Sequence, residues 1–268
     1  YSHDDIPEAW RLIGEDPRDD VRAPQFAQLV RAFMPDVLDL QEYSLHMHQQ
    51  FYPLIRRYGY RIAYEGEEPW NNTPIFYNPE TVELVDVNYV LYAPSCWSNI
   101  GSKSYTSAVF RKKDTGRLFA VVNTHLWWKS EAAQPGSTYA RAAQVRLMMA
   151  EAEVLKNKYG CTIFVTGDMN AYEDSLPIRQ FIEGGYTPCY KAATDATDNG
   201  NGHHICGPKD GYSRTSRRRS PDREKGAIDH CFIYNAQEGV AVKVFDCITA
   251  RITVKLTDHY PYLIDAAL

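Results

Sequence analysis

The feature that most constrains the fold is an apolar, β-branched run at residues 161–166 that ends on Gly167-Asp168-Met169-Asn170. This pattern predicts a buried strand that delivers polar side chains to the edge of a sheet. A carboxylate and a carboxamide held at such an edge commonly bind a hard cation or transfer protons. The sequence therefore predicts a site at the end of this strand, where polar groups from other strands should join Asp168.

Other segments have the same form, a short apolar run beside an acid or a histidine. Their polar groups are Glu42, His125, Asp229 and the neighbours Asp258 and His259. Taken alone, a histidine at a strand end is more often a hydrogen-bonded structural residue. A single aspartate in a loop is usually a turn or cap residue. Together, however, these strand ends indicate one composite site.

Five short motifs carry a resemblance to a known family. They are LQE at 40–42, NTHL at 123–126, GDMN at 167–170, AIDH at 227–230 and TDHYP at 257–261. In this order they resemble the endonuclease/exonuclease/phosphatase superfamily, which includes DNase I-like nucleases, apurinic-site endonucleases, inositol-polyphosphate 5-phosphatases and neutral sphingomyelinases. The resemblance implies an α/β (α+β) fold: a two-sheet β-sandwich flanked by outer helices, in the four-layer DNase I-like architecture, with the sites at one edge.

The same resemblance implies a role for each acid and amide. Glu42 would bind a Mg²⁺ or Mn²⁺ ion, which prefers oxygen ligands, and Asp258 would lie close to the same metal. Asp168 would orient or deprotonate the attacking water. Asn170 would hydrogen-bond the phosphate or that water. The expected cofactor is therefore Mg²⁺ or Mn²⁺.

The histidines would act on the phosphate. His259 would contact the scissile phosphate, while Asp229 fixes its tautomer and favours its cationic form. His125 would bind the phosphate or donate a proton to the leaving group. His230 directly follows Asp229, so strand alternation turns it to the opposite face, and we expect it to be structural.

Two further features bear on the substrate. Residues 207–225 are rich in arginine and lysine, and Arg214 and Arg217 are the candidate substrate contacts there. The segment is either a solvated charged loop or an arm that grips a polyanion such as nucleic acid or an inositol phosphate. Of Trp127 and Trp128, one should pack in the core and the other offer a stacking surface; Trp127 is taken as the candidate contact.

These residues predict a metal-dependent phosphoric-ester hydrolase, a nuclease or phosphatase acting on nucleic acid or on a small phosphorylated molecule. A lipid-directed phosphodiesterase of the sphingomyelinase type stays open, but it would need an exposed apolar hairpin for which there is no clear candidate. A non-catalytic binding module with the same fold also stays open, although the retained polar residues argue against it. The formal net charge of −5 argues mildly against indiscriminate DNA binding.

No linker divides the chain, so we expect one domain over residues 1–268, as a monomer. The resembled family begins with a strand that carries an asparagine, whereas residues 1–10 are polar and turn-rich. We expect that strand upstream of Tyr1; the alternative is a real departure that would weaken metal binding. No apolar run approaches the ~18 residues of a membrane span. No signal-peptide pattern begins at Tyr1, and both a cytoplasmic and an exported location stay open. Free thiols are expected, with a Cys189–Cys206 disulfide as the alternative.

Periodicity places the main helices and strands. Helices are predicted over residues 23–33, closed by Pro35, and over residues 137–158. Alternating residues predict a strand over 81–92 with a bulge between Leu84 and Val85, and a second strand over 252–256.

Overall fold

The computed structural model describes residues 18–66, 70–92, 103–196, 227–248, 253, 256, 257 and 259–268. Its helices are α1 Asp19–Phe33, α2 Leu45–Arg56, α3 Ser137–Tyr159, α4 Leu176–Glu183 and α5 Cys189–Ala192. Its strands are β1 Val37–Asp39, β2 Arg61–Ile62, β3 Ile75–Tyr77, β4 Val82–Leu91, β5 Ser104–Lys112, β6 Leu118–His125, β7 Thr162–Asp168, β8 Thr187–Pro188, β9 Asp195–Ala196, β10 Asp229–Tyr234, β11 Ala241–Cys247 and β12 Tyr262–Ala267.

The strands that carry the predicted site lie side by side in one sheet. Six of the described strands form it, in the order β4-β5-β6-β7-β10-β8. Strands β6 and β7 are parallel, so their carboxyl ends, His125 and Asp168, meet at the same edge. Strand β10 runs antiparallel to β7, and its first residue, Asp229, therefore lies opposite Asp168. The topology thus brings three separate sequence segments to one place.

Both faces of this sheet are buried, and alternation along β6 shows how. Phe119 and Val121 join a core that also contains residues of β3 and β11. Ala120 and Val122 point the other way, into a core with Val145 and other residues of α3. A strand covered on both faces is apolar at successive positions, which accounts for the unbroken runs in the sequence.

Two further sheets of three described strands each, β1-β3-β2 and β12-β11-β9, pack on one face of the larger sheet. Helices α1 and α2 cover β1–β3 from outside through a core that includes Ala27, Phe51, Ile55 and Phe76. Helix α3 covers the opposite side of the molecule. The layers are helix, sheet, sheet and helix, and they confirm the predicted two-sheet architecture with outer helices.

Several local predictions can be checked against these elements. Helix α1 ends at Phe33, where Met34 takes a left-handed conformation before Pro35. Helix α3 extends one residue beyond the predicted end. The register of β4 against β5 shifts between Leu84 and Asp86, which confirms the predicted bulge. None of the helices in the described ranges is long and apolar enough to cross a bilayer.

The strand predicted over 252–256 is wrong. Thr253 and Leu256 have helical conformation, and the Thr257 N–H donates to the Thr253 carbonyl at 3.3 Å. Tertiary contacts hold this turn, because the Arg22 guanidinium donates to the Leu256 carbonyl at 2.7 Å. Local β propensity is weaker than such contacts.

The cysteines that the structure describes form no disulfide with one another. Cys161, Cys189, Cys231 and Cys247 are buried and free, which agrees with the expectation of free thiols. Cys206, the predicted alternative partner of Cys189, lies outside the described residues.

Candidate active site

The centre of the site is formed by the ends of β6 and β7. His125 and Asp168 are register partners, and His125 Nε2 lies 3.4 Å from Asp168 Oδ2. Gly167 makes this approach possible, because a Cβ atom there would lie 2.0 Å from the Thr124 carbonyl oxygen, and its φ is +139°. Only glycine fits such a position without strain. The GDMN motif therefore owes its glycine to the close packing of these two strands.

Asn170 ties the end of β7 into a bend. It has a φ of 47°, a conformation that asparagine tolerates better than most residues. Its backbone N–H donates to Asp168 Oδ1 at 2.8 Å, and its side-chain amide donates to the Leu126 carbonyl at 3.2 Å. One carboxylate oxygen of Asp168 is thereby oriented, and Oδ2 is turned towards His125.

Asp168 has an unusual acidity. Burial raises its pKa to about 6, and the nearby Asp229 carboxylate also raises it, while His259, the Asn170 N–H and Lys103 lower it. Burial disfavours the charged form, and a neighbouring like charge adds to that effect. A carboxylate with such a pKa accepts a proton from water more readily than an ordinary aspartate does.

Asp229 and His259 form a hydrogen-bonded pair. His259 Nδ1 lies 2.7 Å from Asp229 Oδ2, so the ring donates from Nδ1 and its tautomer is set by the carboxylate. Asp168, Asp229 and His259 each offer a ligand atom, and these atoms all lie within 4.8 Å of one another. This group has the size and chemistry of a cation site.

Glu42 reaches the site from the loop that follows β1. Its side chain is 79% exposed, and its Oε1 lies 3.9 Å from His125 Nε2. The residue has a φ of 54°, which is uncommon for glutamate and must be held by its surroundings. Because the Glu42 side chain is exposed, its carboxylate is accessible to a ligand.

Asn123 in β6 supports the backbone that leads to Glu42. Its side-chain amide donates to the carbonyls of Leu40 at 2.8 Å and Pro74 at 3.1 Å. Its Oδ1 accepts from the Gln41 side chain at 2.7 Å. Asn123 thus clamps the two residues before Glu42. Asn123 is the first residue of the NTHL motif, and nothing in the sequence around it indicates this supporting role.

Lys103 is a site residue that the sequence analysis missed. It immediately precedes β5, is only 4% exposed, and its ammonium contacts His125 Nε2. Burial lowers the pKa of Lys103 to about 8, against the attraction of Asp168 and Glu42. A single lysine before an apolar strand has no motif around it, so nothing local marks it as functional.

The same contact determines the state of His125. Burial, then Lys103, then His259 lower its pKa well below the ordinary value. A lowered pKa favours the neutral ring, whose Nε2 can accept a hydrogen bond from the Lys103 ammonium. The same Nε2 atom lies 3.4 Å from Asp168 Oδ2 and 3.9 Å from Glu42 Oε1, and the role of His125 as a phosphate ligand or proton donor stays a prediction.

The structure corrects the prediction for Trp127. Trp127 is 4% exposed, its indole N–H donates to Ser137 Oγ at 3.2 Å, and its backbone N–H donates to Gln144 Oε1 at 2.9 Å. The start of α3 covers the ring, so it cannot stack on a substrate. Trp128, with 57% exposure, is the member of the pair that faces outwards.

His230 agrees with its prediction, since it is buried and its Nε2 lies 2.7 Å from the Ala171 carbonyl. Asp258, Arg214 and Arg217 lie outside the described residues.

Beside the carboxylates there is a cavity of about 420 Å³. Its lining includes Glu42, Asp168, Asp229 and His259 on the strand side and Asp19, Arg22, Phe26 and Met47 on the helix side.

The sequence model of the Endonuclease/Exonuclease/phosphatase family matches residues 13–259. The chain belongs to this family. A comparison with curated proteins found no significant sequence match. Family membership supports the activity of a phosphoester hydrolase.

Solved structures share the family fold with this chain. The mannosyl-6-phosphatase Bt3783 of Bacteroides thetaiotaomicron VPI-5482 is 20% identical with a TM-score of 0.72, over 93% of this chain and 92% of that chain. The human Nocturnin catalytic domain with bound sulfate is 19% identical, with a TM-score of 0.67 over 92% and 86%. D. rerio TDP2 with a single-strand DNA product is 16% identical, with a TM-score of 0.66 over 92% and 92%. At these identities the likeness shows the fold.

Proposed function

We propose that the chain is a metal-dependent phosphoric-ester hydrolase in which Asp168 activates the water that attacks phosphorus. Family membership supports the reaction class. The observation that carries the proposal is the convergence of Asp168, Asp229 and His259 within 4.8 Å, beside His125. In-line hydrolysis needs a base for water and charge compensation at the phosphoryl oxygens, and this group offers both.

Asp168 is the base. Its Oδ1 is oriented by the Asn170 N–H, and its pKa of about 6 makes it a carboxylate with raised basicity at neutral pH. General base catalysis is most effective when the pKa lies near the working pH. Asn170, whose amide lies next to this carboxylate, is proposed to hydrogen-bond the water or the phosphate.

The acidic residues fit a hard cation. Asp168, Asp229 and the exposed Glu42 line the same cavity, so three carboxylates face one space. Oxygen donors of this kind suit Mg²⁺ or Mn²⁺. We propose Glu42 and Asp258 as the residues that hold it. A bound cation would supply charge neutralisation on the phosphoryl oxygens and lower the pKa of water.

His259 is proposed to contact the scissile phosphate. Asp229 holds its Nδ1 hydrogen at 2.7 Å, so the Nε2 side of the ring is the side that can face a substrate. The proximity of the Asp229 carboxylate also favours the cationic ring, which binds a phosphate oxygen more strongly than a neutral ring does.

The proposal is tested with a substrate panel of plasmid DNA, RNA, inositol phosphates, sphingomyelin and bis-p-nitrophenyl phosphate, with Mg²⁺, Mn²⁺ or EDTA. Asp168→Ala and His259→Ala are each expected to lose on the order of 10²–10⁴ in rate. The exposed residue Asp174 provides a matched control, Asp174→Asn, which should keep full activity. Hydrolysis that persists in EDTA, or full activity of either site variant, would contradict the mechanism. If no substrate is hydrolysed with any metal, the result favours the alternative of a non-catalytic binding module.

The panel also separates the two substrate classes that we propose. Hydrolysis of plasmid DNA or RNA indicates a nuclease, and release of inorganic phosphate from a phosphorylated small molecule indicates a phosphatase. Fold alone does not choose between them, because one scaffold supports many substrates.

A further inference from the structure

Lys103 places a buried positive charge in the middle of the site. The side chain is 4% exposed, and its ammonium contacts Nε2 of His125. That same Nε2 atom lies 3.4 Å from Asp168 Oδ2 and 3.9 Å from Glu42 Oε1. The ammonium, the proposed base and a proposed metal ligand therefore converge on one atom.

The contact with His125 positions the ammonium without neutralising it. The acceptor that the ammonium faces is Nε2 of the His125 ring, and an imidazole nitrogen brings no negative charge to the contact. Burying a charged ammonium has a large desolvation cost, which is offset only by nearby opposite charge or strong hydrogen bonds. Asp168 and Glu42 supply part of that compensation. An anionic substrate would add to it.

The backbone around Lys103 is held on both sides. The Tyr92 N–H donates to the Lys103 carbonyl at 3.0 Å. The next residue, Ser104, pairs its hydroxyl with Thr73 Oγ1 at 2.8 Å, and its carbonyl accepts from Thr124 Oγ1 at 3.0 Å. A side chain on such a supported element has a defined direction, as a group that meets a transition state requires.

Another cation near the cavity, Arg22, is committed elsewhere. Its Nη1 donates to the Leu256 carbonyl at 2.7 Å, and its Nη2 pairs with Asp19 at 2.7 Å. Arg22 thus joins α1 to the segment before β12. Lys103 is the better candidate for a substrate contact, because its ammonium lies beside the proposed base.

We propose that Lys103 binds a non-bridging oxygen of the substrate phosphoryl group, and that His125 is a positioning residue that directs its ammonium. This assignment rests on the proposed function. An ammonium has three N–H donors, and a fixed donor aimed at an oxygen that gains negative charge lowers the barrier to phosphoryl transfer.

The first test compares Lys103→Met, Lys103→Arg and the control Lys112→Met, which lies at the far end of β5 and pairs with Asp36. Removing one such donor is expected to lower kcat/KM by about 10²–10³. Lys103→Met should also lose competitive inhibition by inorganic phosphate, while Lys103→Arg keeps a measurable part of it. Lys112→Met should leave both quantities unchanged. Circular dichroism and thermal unfolding show whether each variant is folded.

A second test separates a substrate contact from a structural role. Methylamine is added to Lys103→Ala, and activity should rise with amine concentration and saturate, whereas methanol at the same concentration should have no effect. Calorimetric binding of inorganic phosphate in EDTA gives a readout without turnover, and it should weaken at least tenfold in Lys103→Met.

The results distinguish the two proposals. If the wild type hydrolyses its substrate but Lys103→Met keeps kcat/KM and phosphate affinity within twofold, the assignment of Lys103 is overturned and the proposed function stands. If the wild type hydrolyses nothing, the proposed function fails. The calorimetric comparison then still decides whether Lys103 binds phosphate. If Lys103→Met does not fold, Lys103→Arg and the amine response of Lys103→Ala decide the question, and absence of rescue overturns the assignment.

Discussion

Replacing Asp168 with asparagine should abolish activity and at the same time stabilise the metal-free protein at neutral pH. The carboxylate is buried, and its pKa rises from 3.8 to about 6 in the folded protein. The difference of about 2 pK units corresponds to a cost of about 3 kcal/mol for keeping this group ionised in the fold. Asparagine avoids that cost because it carries no charge.

The expected gain is smaller than this cost. Asparagine can keep the acceptor for the Asn170 N–H, which now lies 2.8 Å from Asp168 Oδ1. Its amide N–H₂ group would then face His125 Nε2, which already accepts from the Lys103 ammonium. We therefore expect Asp168→Asn to raise the free energy of unfolding by about 2 kcal/mol at pH 7–8, or the melting temperature by roughly 4–8 °C.

The pH dependence gives the sign of the effect. Because the folded pKa lies above the unfolded value, the stability contributed by this group is fully present below about pH 3.8 and is lost as the pH rises through about 6. The wild type should therefore lose stability relative to Asp168→Asn between about pH 4 and pH 6. Below this window, at about pH 3.5, the difference should almost vanish.

The assay is thermal unfolding of both proteins in EDTA from pH 3.5 to pH 8, with Asp174→Asn as the exposed control. Added Mg²⁺ should narrow the difference, because the wild type keeps one more negative charge near the bound cation than the variant does. Wild-type activity should fall as the pH drops through about 6, since the base becomes protonated. The reasoning is refuted if Asp168→Asn melts below the wild type at pH 7–8 in EDTA, or if the difference does not change with pH.

Four other substitutions test the geometry. Gly167→Ala should destabilise the fold by more than about 3 kcal/mol, because the new Cβ would lie 2.0 Å from the Thr124 carbonyl oxygen; a melting temperature near the wild type would contradict this close packing. Asn123→Leu should cost about 2–3 kcal/mol, since two carbonyls and one amide lose their partner, and it should also reduce Mg²⁺ affinity, measured by calorimetry. Trp127→Ala should cost about 3–5 kcal/mol while Trp128→Ala stays within about 0.5 kcal/mol; equal losses in urea unfolding would show that the burial assignment is incorrect.

The strands that end at His125 and Asp168 were predictable because both faces of each strand are covered. Such strands have uninterrupted apolar, β-branched runs, and the polar residue that follows marks the edge of the sheet. Their pairing as parallel neighbours, with His125 opposite Asp168, is a property of the sheet and came from the structure. The family resemblance supplied the expectation that these ends meet.

Burial of individual side chains was not predictable in the same way. Trp127 and Trp128 are identical neighbours in the sequence, and only the position of α3 makes the first a core residue. Residues 252–256 alternate as a strand would, yet Thr253 and Leu256 have helical conformation, and the hydrogen bond from Arg22 to the Leu256 carbonyl helps to hold it. In both cases the deciding partner lies far away along the chain or in another element.

By itself, the sequence determined the strand ends and the candidate residues Glu42, Asp168, Asp229 and His259, because apolar runs and short polar motifs are local properties, and the resemblance of those motifs implied the class of fold. Only the tertiary structure decided the states of these groups. It buried Lys103 against His125, which lowers the pKa of that ring, and placed Asp168 beside Asp229, which raises the pKa of Asp168. Charge state depends on solvent exclusion and on neighbours from other strands, and the fold alone creates both.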